Sequence, residues 1–365
     1  MRNIKKIAIL TGGGDCPGIN AVIRAVAKKA INEYGLKVIG LEDGYEGLIH
    51  NHYRTLEYGD VSGIITLGGT ILGTSNTANP YRYARREGDK LEFDDLSQIA
   101  LDNYRKMGAD CLVCIGGDGT LSIAHRLCED GIPIIGIPKT IDNDLRGTDI
   151  TFGFDSAVSI ATEGIDRIHS TAQSHHRVMI VEVMGRNAGW IALHAGVASG
   201  GDIILIPEIS YDIDIIVEKV NERLNTGKRF SIIVVSEGAK THDGNTVVKR
   251  VVKYSTDPVR FGGISFVLAS KIEEMAGIES RAVVMGHLQR GGTPTPFDRI
   301  LATTLGTRAV DMIKEEKYGY MVGVQSGTLV DVPLLEVAKG QRTVPVDTSL
   351  LESARSVGVS FGDRL

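Results

Sequence analysis

Apolar residues fall along this chain in two alternating rhythms. Short unbroken runs such as Ile7-Ala8-Ile9-Leu10 read as strands buried on both faces, because a strand with one wet face would alternate apolar with polar. Between such runs the spacing turns helical. Over residues 20–34, Ile23, Val26, Ala27, Ala30 and Ile31 recur at i, i+3, i+4, i+7 and i+8, one face of a helix. Residues 94–107 repeat the pattern with Leu96, Ile99, Ala100, Tyr104 and Met107, and a shorter helix is predicted over 122–128. Further strands are predicted at 38–39, 112–115, 132–137, 178–183, 203–206, 232–235 and 283–285. Continuous apolar strands separated by helices predict an α/β protein of two lobes, each a mostly parallel sheet covered by helices on both faces.

Composition narrows the function. A chain of 365 residues with 42% hydrophobic content can bury real cores. Its 44 glycines follow no fixed period, which points to loops where backbone approaches a ligand closely. The formal charge of -5 disfavours general nucleic-acid binding, which needs a clustered cationic face. Four irregularly spaced cysteines do not make a disulfide framework. Cys111 and Cys114 form a CxxC inside an apolar strand, where residues three apart face opposite sides, so buried thiols are expected rather than a metal or redox pair. No run reaches the roughly 18 apolar residues that span a bilayer, and the first apolar run is too short for a secretory core. A cytoplasmic location, with no nucleic acid and no membrane as partner, is expected.

Candidate chemistry gathers where strands end. In open parallel sheets ligands bind outside the carboxyl ends of the strands, and three such ends carry loops rich in Gly or Asp. Gly12-Gly13-Gly14-Asp15 runs from strand into helix, where free N–H groups favour an anion. It fails the dinucleotide fingerprint, with Pro17 at the third glycine position, and lacks a Walker A ending; a tight turn without a ligand is the alternative. Gly116-Gly117-Asp118-Gly119-Thr120 places a carboxylate between glycines, which suits Mg²⁺ held by one or two carboxylates plus substrate phosphates. A cap for the following helix is the alternative there. In Pro138-Lys139-Thr140-Ile141-Asp142-Asn143-Asp144, an extended segment would project Asp142, Asp144 and Thr140 to one side. One acid would serve as a base toward a hydroxyl and the other as partner of a metal or cation, with an Asx-turn as the alternative.

The second half supplies positive charge. Arg177 and Arg186 flank the apolar run 178–183, and Arg281 precedes 283–285, which Gly286-His287-Leu288-Gln289-Arg290-Gly291-Gly292 follows. A planar fork of donors makes arginine the natural clamp for a phosphate monoester. Glu237, at the end of 232–235, is a candidate acceptor for sugar hydroxyls, with helix capping as its alternative.

Together these segments resemble the 6-phosphofructokinase family. The resemblance rests on residues 11–18, 116–120, 138–144, Val181-Glu182-Val183-Met184-Gly185-Arg186 and 286–299, in order and spacing over about residues 4–320. Residues 344–348 and on to Asp363 look like the branch whose members use either ATP or pyrophosphate. The resemblance implies the glycolytic transfer of a phosphoryl group to the 1-hydroxyl of fructose 6-phosphate, with Mg²⁺. It implies Asp142 as the base, Asp118 as the Mg²⁺-positioning acid and Asp144 in support, with Thr140 and Arg186 also in the catalytic set. Thr140, Met184, Gly185, Arg186, Glu237, His287 and Arg290 match sugar-phosphate contacts, and Gly14, Gly117, Asp118, Gly119 and Thr120 match donor contacts. Arg177 and Arg281 match residues that reach a neighbouring subunit's site, which implies a homotetramer or homodimer. The implied division is a larger donor-binding lobe, 1–152 plus about 289–340, a smaller sugar-phosphate lobe, 153–288, and a C-terminal extension, 341–365.

The implied donor turns on two positions. In the family, Gly after the Mg²⁺-site acid goes with ATP and Asp with pyrophosphate, because a carboxylate would crowd and repel the α-phosphate. This chain has Gly119 there. Lys139 is instead the pyrophosphate-type residue, but a long side chain can swing aside, so ATP is expected and pyrophosphate is the alternative. Two departures stand out. Asn76 follows Gly73-Thr74-Ser75 where ATP-using relatives place an arginine on the transferring group, leaving Arg82 or Arg85 as substitutes. Arg24 and Lys28 of the effector site are retained, but His169 stands where an arginine is expected, so activation by a nucleoside diphosphate does not carry over. NAD kinases and diacylglycerol kinases share the Gly-Gly-Asp-Gly-Thr loop but lack loops 138–144 and 286–292. A non-catalytic sensor on the same fold would need no base at Asp142.

Overall fold

In the computed structural model, which describes residues 4–87, 90–251 and 259–364, the buried apolar runs become the strands of two sheets. Among the described residues the larger has seven strands in the order Thr328–Pro333, Tyr320–Gln325, Ile134–Pro138, Cys111–Gly116, Lys6–Thr11, Lys37–Leu41 and Tyr53–Thr55. Its five central strands run parallel and only the two outermost are antiparallel. The second sheet, Ser280–Val284, Val178–Val183, Ser231–Ser236 and Ile203–Leu205, is parallel throughout. The chain divides into two compact units, one of Met1–Ser156 with Arg290–Gln341, the other of Ala157–Lys253, Asp257–Gln289 and Arg342–Leu365.

Strand Lys6–Thr11 lies between Lys37–Leu41 and Cys111–Gly116, and Ile7 to Leu10 are fully buried, as an interior parallel strand with helices on both faces requires. Helix Ile19–Tyr34 packs against Pro296–Lys314. A Cβ at Gly306 would stand 2.8 Å from Ala25 Cβ, so that glycine sets how closely the two helices approach. Gly35, in the left-handed region at φ 60°, ends the first helix by donating to the carbonyls of Ala30 and Ile31.

Local chemistry departs from the sequence pattern at several places. The helix expected over 94–107 begins later, at Ser97–Met107, because residues up to Asp94 pair as Lys90–Asp94 with Tyr83–Glu87 in a hairpin. Ile99 then lies outside the buried face, 48% exposed. The helix expected over 122–128 is longer, Asp118–Glu129, and the strand expected at 283–285 is Ser280–Val284. Strands Tyr320–Gln325 and Thr328–Pro333, which periodicity did not single out, extend the large sheet. Cys111 and Cys114 are free, buried thiols; burial pushes Cys114 up to about 12 and Cys111 well above the ordinary thiol range. Among the described residues no helix is long and apolar enough to cross a membrane.

Candidate active site

Three strands of the first unit deliver their loops to one place. Thr11 ends its strand and enters Gly12-Gly13-Gly14. Gly12 N–H donates to Ile115 O at 3.0 Å and Gly13 N–H to Ser75 O at 3.1 Å. Thr120 explains two of the glycines: a Cβ at Gly12 would lie 2.7 Å from its side chain, and one at Gly116 only 2.3 Å. Thr120 is itself buried, and its carbonyl accepts from Tyr45 Oη at 2.8 Å. The helix that follows is capped by Gly117 with no side-chain cap, so neither Asp118 nor Thr120 is spent on capping. Asp118 sits in its first turn, where the helix dipole favours an anionic side chain. A Cβ at Gly119 would meet nothing within 4 Å, so packing does not demand glycine at this position.

Loop 140–144 is not the extended segment expected from its i, i+2 acids. Asn143, between Asp142 and Asp144, takes a left-handed backbone, φ 51°. It is the residue that does the local bonding, with Oδ1 accepting from Thr151 N–H at 3.0 Å and Nδ2 donating to Asp149 O at 3.3 Å. The Asx chemistry thus belongs to Asn143 and leaves the two acids for other work. Asp142 N–H donates to Thr140 Oγ1 at 3.1 Å, while the buried Asp142 Oδ1 has no hydrogen-bond partner among the described residues.

Asp118 lies close enough to Asp142 and Asp144 to shift both, and Asp142 close enough to shift Asp144. Burial pushes Asp142 above the ordinary carboxylate range; Arg290 opposes the shift, Asp118 adds to it and Lys139 opposes it. Asp144 is pushed up to about 7, by burial first and then by Asp142 and Asp118. The nearby cations are tied to the first loop. Lys139 is buried, and its ammonium donates to Gly14 O. It does not swing aside as a long surface lysine would, because that carbonyl and its burial hold it. Burial also lowers its pKa from the ordinary lysine value. Arg290 Nη1 donates to Asp15 O at 3.0 Å, and a Cβ at Gly14 would stand 2.7 Å from the same nitrogen. Glycine at 14 therefore lets the guanidinium lie against the loop. Arg82 and Arg85 are used elsewhere: Arg82 stacks 3.9 Å over Phe93, and Arg85 pairs with Glu92 at 3.5 Å and Asp94 at 3.1 Å.

In the second unit the strand ends carry a different construction. Gly185 follows strand Val178–Val183 at φ 135°, and Ser236 Oγ donates to its carbonyl. A Cβ at Gly238 would fall 1.9 Å from Arg186 O, so the loop after Ser231–Ser236 must be bare at that point. Glu237 N–H donates to Val183 O at 2.9 Å, which sets Glu237 beside the Met184-Gly185-Arg186 turn. The Arg186 guanidinium lies 4.8 Å from the Phe261 ring centre. Gln289, fully buried, accepts from Met184 N–H at 3.3 Å and donates to Gly286 O at 3.1 Å, joining that turn to the segment carrying the exposed His287. Arg177 and Arg281 are at the other, amino ends of their parallel strands, where both pair with Glu279.

Sequence reasoning missed two residues that organise these loops, Gln289 and Gln341. Gln341 Nε2 donates to Asp118 Oδ2 at 3.1 Å and to Asp144 Oδ2 at 2.8 Å. Neither glutamine belongs to a periodic pattern, so no local signal marks it.

The acid cluster fits Mg²⁺. No group of three His, Cys, Asp or Glu side chains among the described residues could hold a metal alone. An Mg²⁺ ion can be held through one or two carboxylates, with phosphates of its substrate completing the ligands. An orphaned, buried carboxylate oxygen beside two further acids and an open glycine meets that need.

Known proteins point the same way. ATP-dependent 6-phosphofructokinase 2 of Clostridium perfringens is 51% identical over 365 residues, 100% of both chains. The pyrophosphate–fructose 6-phosphate 1-phosphotransferase of Amycolatopsis mediterranei is 49% identical over 343 residues, 94% of this chain and 97% of its own. The crystal structure of Pichia pastoris phosphofructokinase in the T-state matches with a TM-score of 0.80 at 33% identity, covering 93% of this chain and 36% of that longer one. Residues 6–313 match the family Phosphofructokinase, and with the strand-end acids and glycines in place around them, the chain belongs to the phosphofructokinase family.

Proposed function

We propose that this protein is an ATP-dependent 6-phosphofructokinase, transferring the γ-phosphoryl group of ATP to the 1-hydroxyl of fructose 6-phosphate. The observation that carries this reading is Asp142: a buried carboxylate oxygen without a partner among the described residues, on a carboxyl whose pKa burial raises. Such a group suits proton abstraction from an alcohol near neutral pH. Asp142 takes the hydroxyl proton as the oxygen attacks the γ-phosphorus, whose bond to the bridging oxygen breaks to release ADP. Asp118 and Asp144 would hold Mg²⁺, which when bound neutralises the donor phosphates. Lys139 and Arg290, tied to the Gly12-Gly13-Gly14 loop, supply the positive charge that Arg82 and Arg85 do not. Phosphoryl transfer asks mainly for positioning and charge neutralisation, and these residues offer both.

Met184, Gly185, Arg186, Glu237 and His287 form the sugar-phosphate set, with Arg186 as the phosphate clamp. Arg290 lies with its guanidinium against the first loop, on Asp15 O. Arg177 and Arg281 serve a neighbouring subunit. In support, they stand at the strand ends opposite Arg186 and His287 within their own unit.

Overall identity does not separate the donors, since relatives of both kinds lie near 50%. Gly119 does, because the space beyond its Cα is open to a nucleotide's α-phosphate. Lys139 does not argue for pyrophosphate, because its ammonium already has work on Gly14. The test is initial rates with fructose 6-phosphate and Mg²⁺, comparing ATP with pyrophosphate in the parent and in Gly119→Asp. The parent should prefer ATP strongly, and Gly119→Asp should lose at least about tenfold in kcat/KM for ATP through charge repulsion. A parent that turns over with pyrophosphate alone defeats the role of Gly119 and leaves the acceptor chemistry standing.

A further inference from the structure

The C-terminal side of the first unit returns to the acid cluster through one residue. Past helix Leu334–Ala338, Gln341 bridges antiparallel to Leu145, and its carbonyl accepts from Arg146 Nε at 3.3 Å, so its side chain starts beside Asp144. From there Nε2 spans two carboxylates, reaching Asp118 Oδ2 at 3.1 Å and Asp144 Oδ2 at 2.8 Å. Asp118 opens a helix and Asp144 closes a loop behind a different strand. Strand pairing places their backbones but leaves the spacing of their carboxylates to side-chain contacts.

We propose that Gln341 is a positioning residue of the donor site, setting the spacing of Asp118 and Asp144 and through it the affinity for the divalent cation. This rests on the phosphoryl-transfer reading of the cluster. A primary amide is the group the geometry asks for: two N–H donors on one nitrogen, one for each carboxylate, and no charge. Lysine would also bridge the acids, but its ammonium would compete with the cation for them. Alanine would leave two like charges without their shared donor. Partners that orient metal-holding carboxylates typically matter by about 10–100-fold in metal affinity.

The test uses the full chain and Mn²⁺ as the probe, with free Mn²⁺ read by electron paramagnetic resonance in the presence of ADP. Gln341→Ala should weaken Mn²⁺ binding about tenfold, and Gln341→Lys should weaken it further while keeping or raising the melting temperature. The KM for fructose 6-phosphate should stay within about twofold in both, since neither change touches the sugar set. A purely structural tie predicts the reverse: a lower melting temperature in Gln341→Ala, rescue by Gln341→Lys, and unchanged Mn²⁺ affinity. Unchanged Mn²⁺ affinity in either folded variant overturns the proposal. Failure of the parent to phosphorylate fructose 6-phosphate would overturn the kinase reading instead, and the Mn²⁺ titration separates the two.

Discussion

Arg177 and Arg281 apart, the two units place their candidate residues at the same topological position, the carboxyl ends of parallel strands, and hold them there by different means. In the first unit the loops are shaped by missing side chains. Gly12 and Gly116 make room for Thr120, and Gly14 makes room for the Arg290 guanidinium. The resulting cluster is electrostatically tense: burial and Asp118 raise Asp142 against Arg290 and Lys139, and burial, Asp142 and Asp118 raise Asp144. In the second unit the loops are held by buried polar side chains acting on backbone. Gln289 joins Met184 to Gly286, and Glu182 accepts from Gly263 N–H at 2.9 Å and Ser265 N–H at 3.0 Å, closing the start of helix Ile264–Ala276. On the proposed reading, the region that stabilises moving charge keeps its tension for the reaction, whereas the one that grips the substrate relieves its own.

The largest break in this comparison is Asp142→Ser. It removes the base from the tense cluster and should cost about 10²–10⁴-fold in kcat, with the KM for fructose 6-phosphate changed by less than about threefold. Steady-state kinetics decide it, and near-parental turnover would remove Asp142 from the mechanism. Next is Gln289→Ala. It leaves the part-buried Met184 N–H and Gly286 carbonyl without their partner, a loss of about 1 kcal/mol of stability. Thermal melting should record that loss, and kinetics should show a raised KM for fructose 6-phosphate with kcat nearly kept. A fall in kcat alone would mean that the two regions are not separable in this way.

The smallest effect is the most diagnostic of tension. Asp142 must be ionised to act as a base, so activity falls as pH drops through its raised pKa. Asp144→Asn removes a neighbouring negative charge, which should move the acid limb of the kcat profile down by about half a unit to one unit. The same substitution reads out in stability. Asp144 is pushed up to about 7 in the folded chain, against about 4 when unfolded. Its contribution to stability is therefore full below about 4 and lost as pH rises through 7. Asp144→Asn should raise the melting temperature at pH 8 relative to the parent and should not raise it at pH 4. An unmoved acid limb would show that the acids do not sense one another.

Much of the first unit was legible before any coordinates, because Gly and Asp runs at the ends of apolar strands announce both the turn and the charge. Loop 140–144 shows the limit. Its acids are visible, but the i, i+2 spacing suggested an extended segment where Asn143 turns left-handed, held by Thr151 and Asp149. The helix expected over 94–107 starts late because apolar spacing does not register that Asp94 ends a hairpin strand. In the second unit the sequence did not mark Gln289, which ties the Met184 turn to Gly286.

The burial of the apolar strands that periodicity marks and the identity of the charged groups follow from the chain alone, since each depends on neighbours within a few residues. Gln341 stands 197 positions from Asp144, Gln289 stands 105 from Met184, and Lys139 stands 125 from the carbonyl it bonds. Such pairings depend on how strands and loops close in space, and no periodicity records them. The folded structure therefore decided which cations bond to the Gly12-Gly13-Gly14-Asp15 loop, which acid keeps an oxygen without a partner among the described residues, and which side chain bonds to both of the other two.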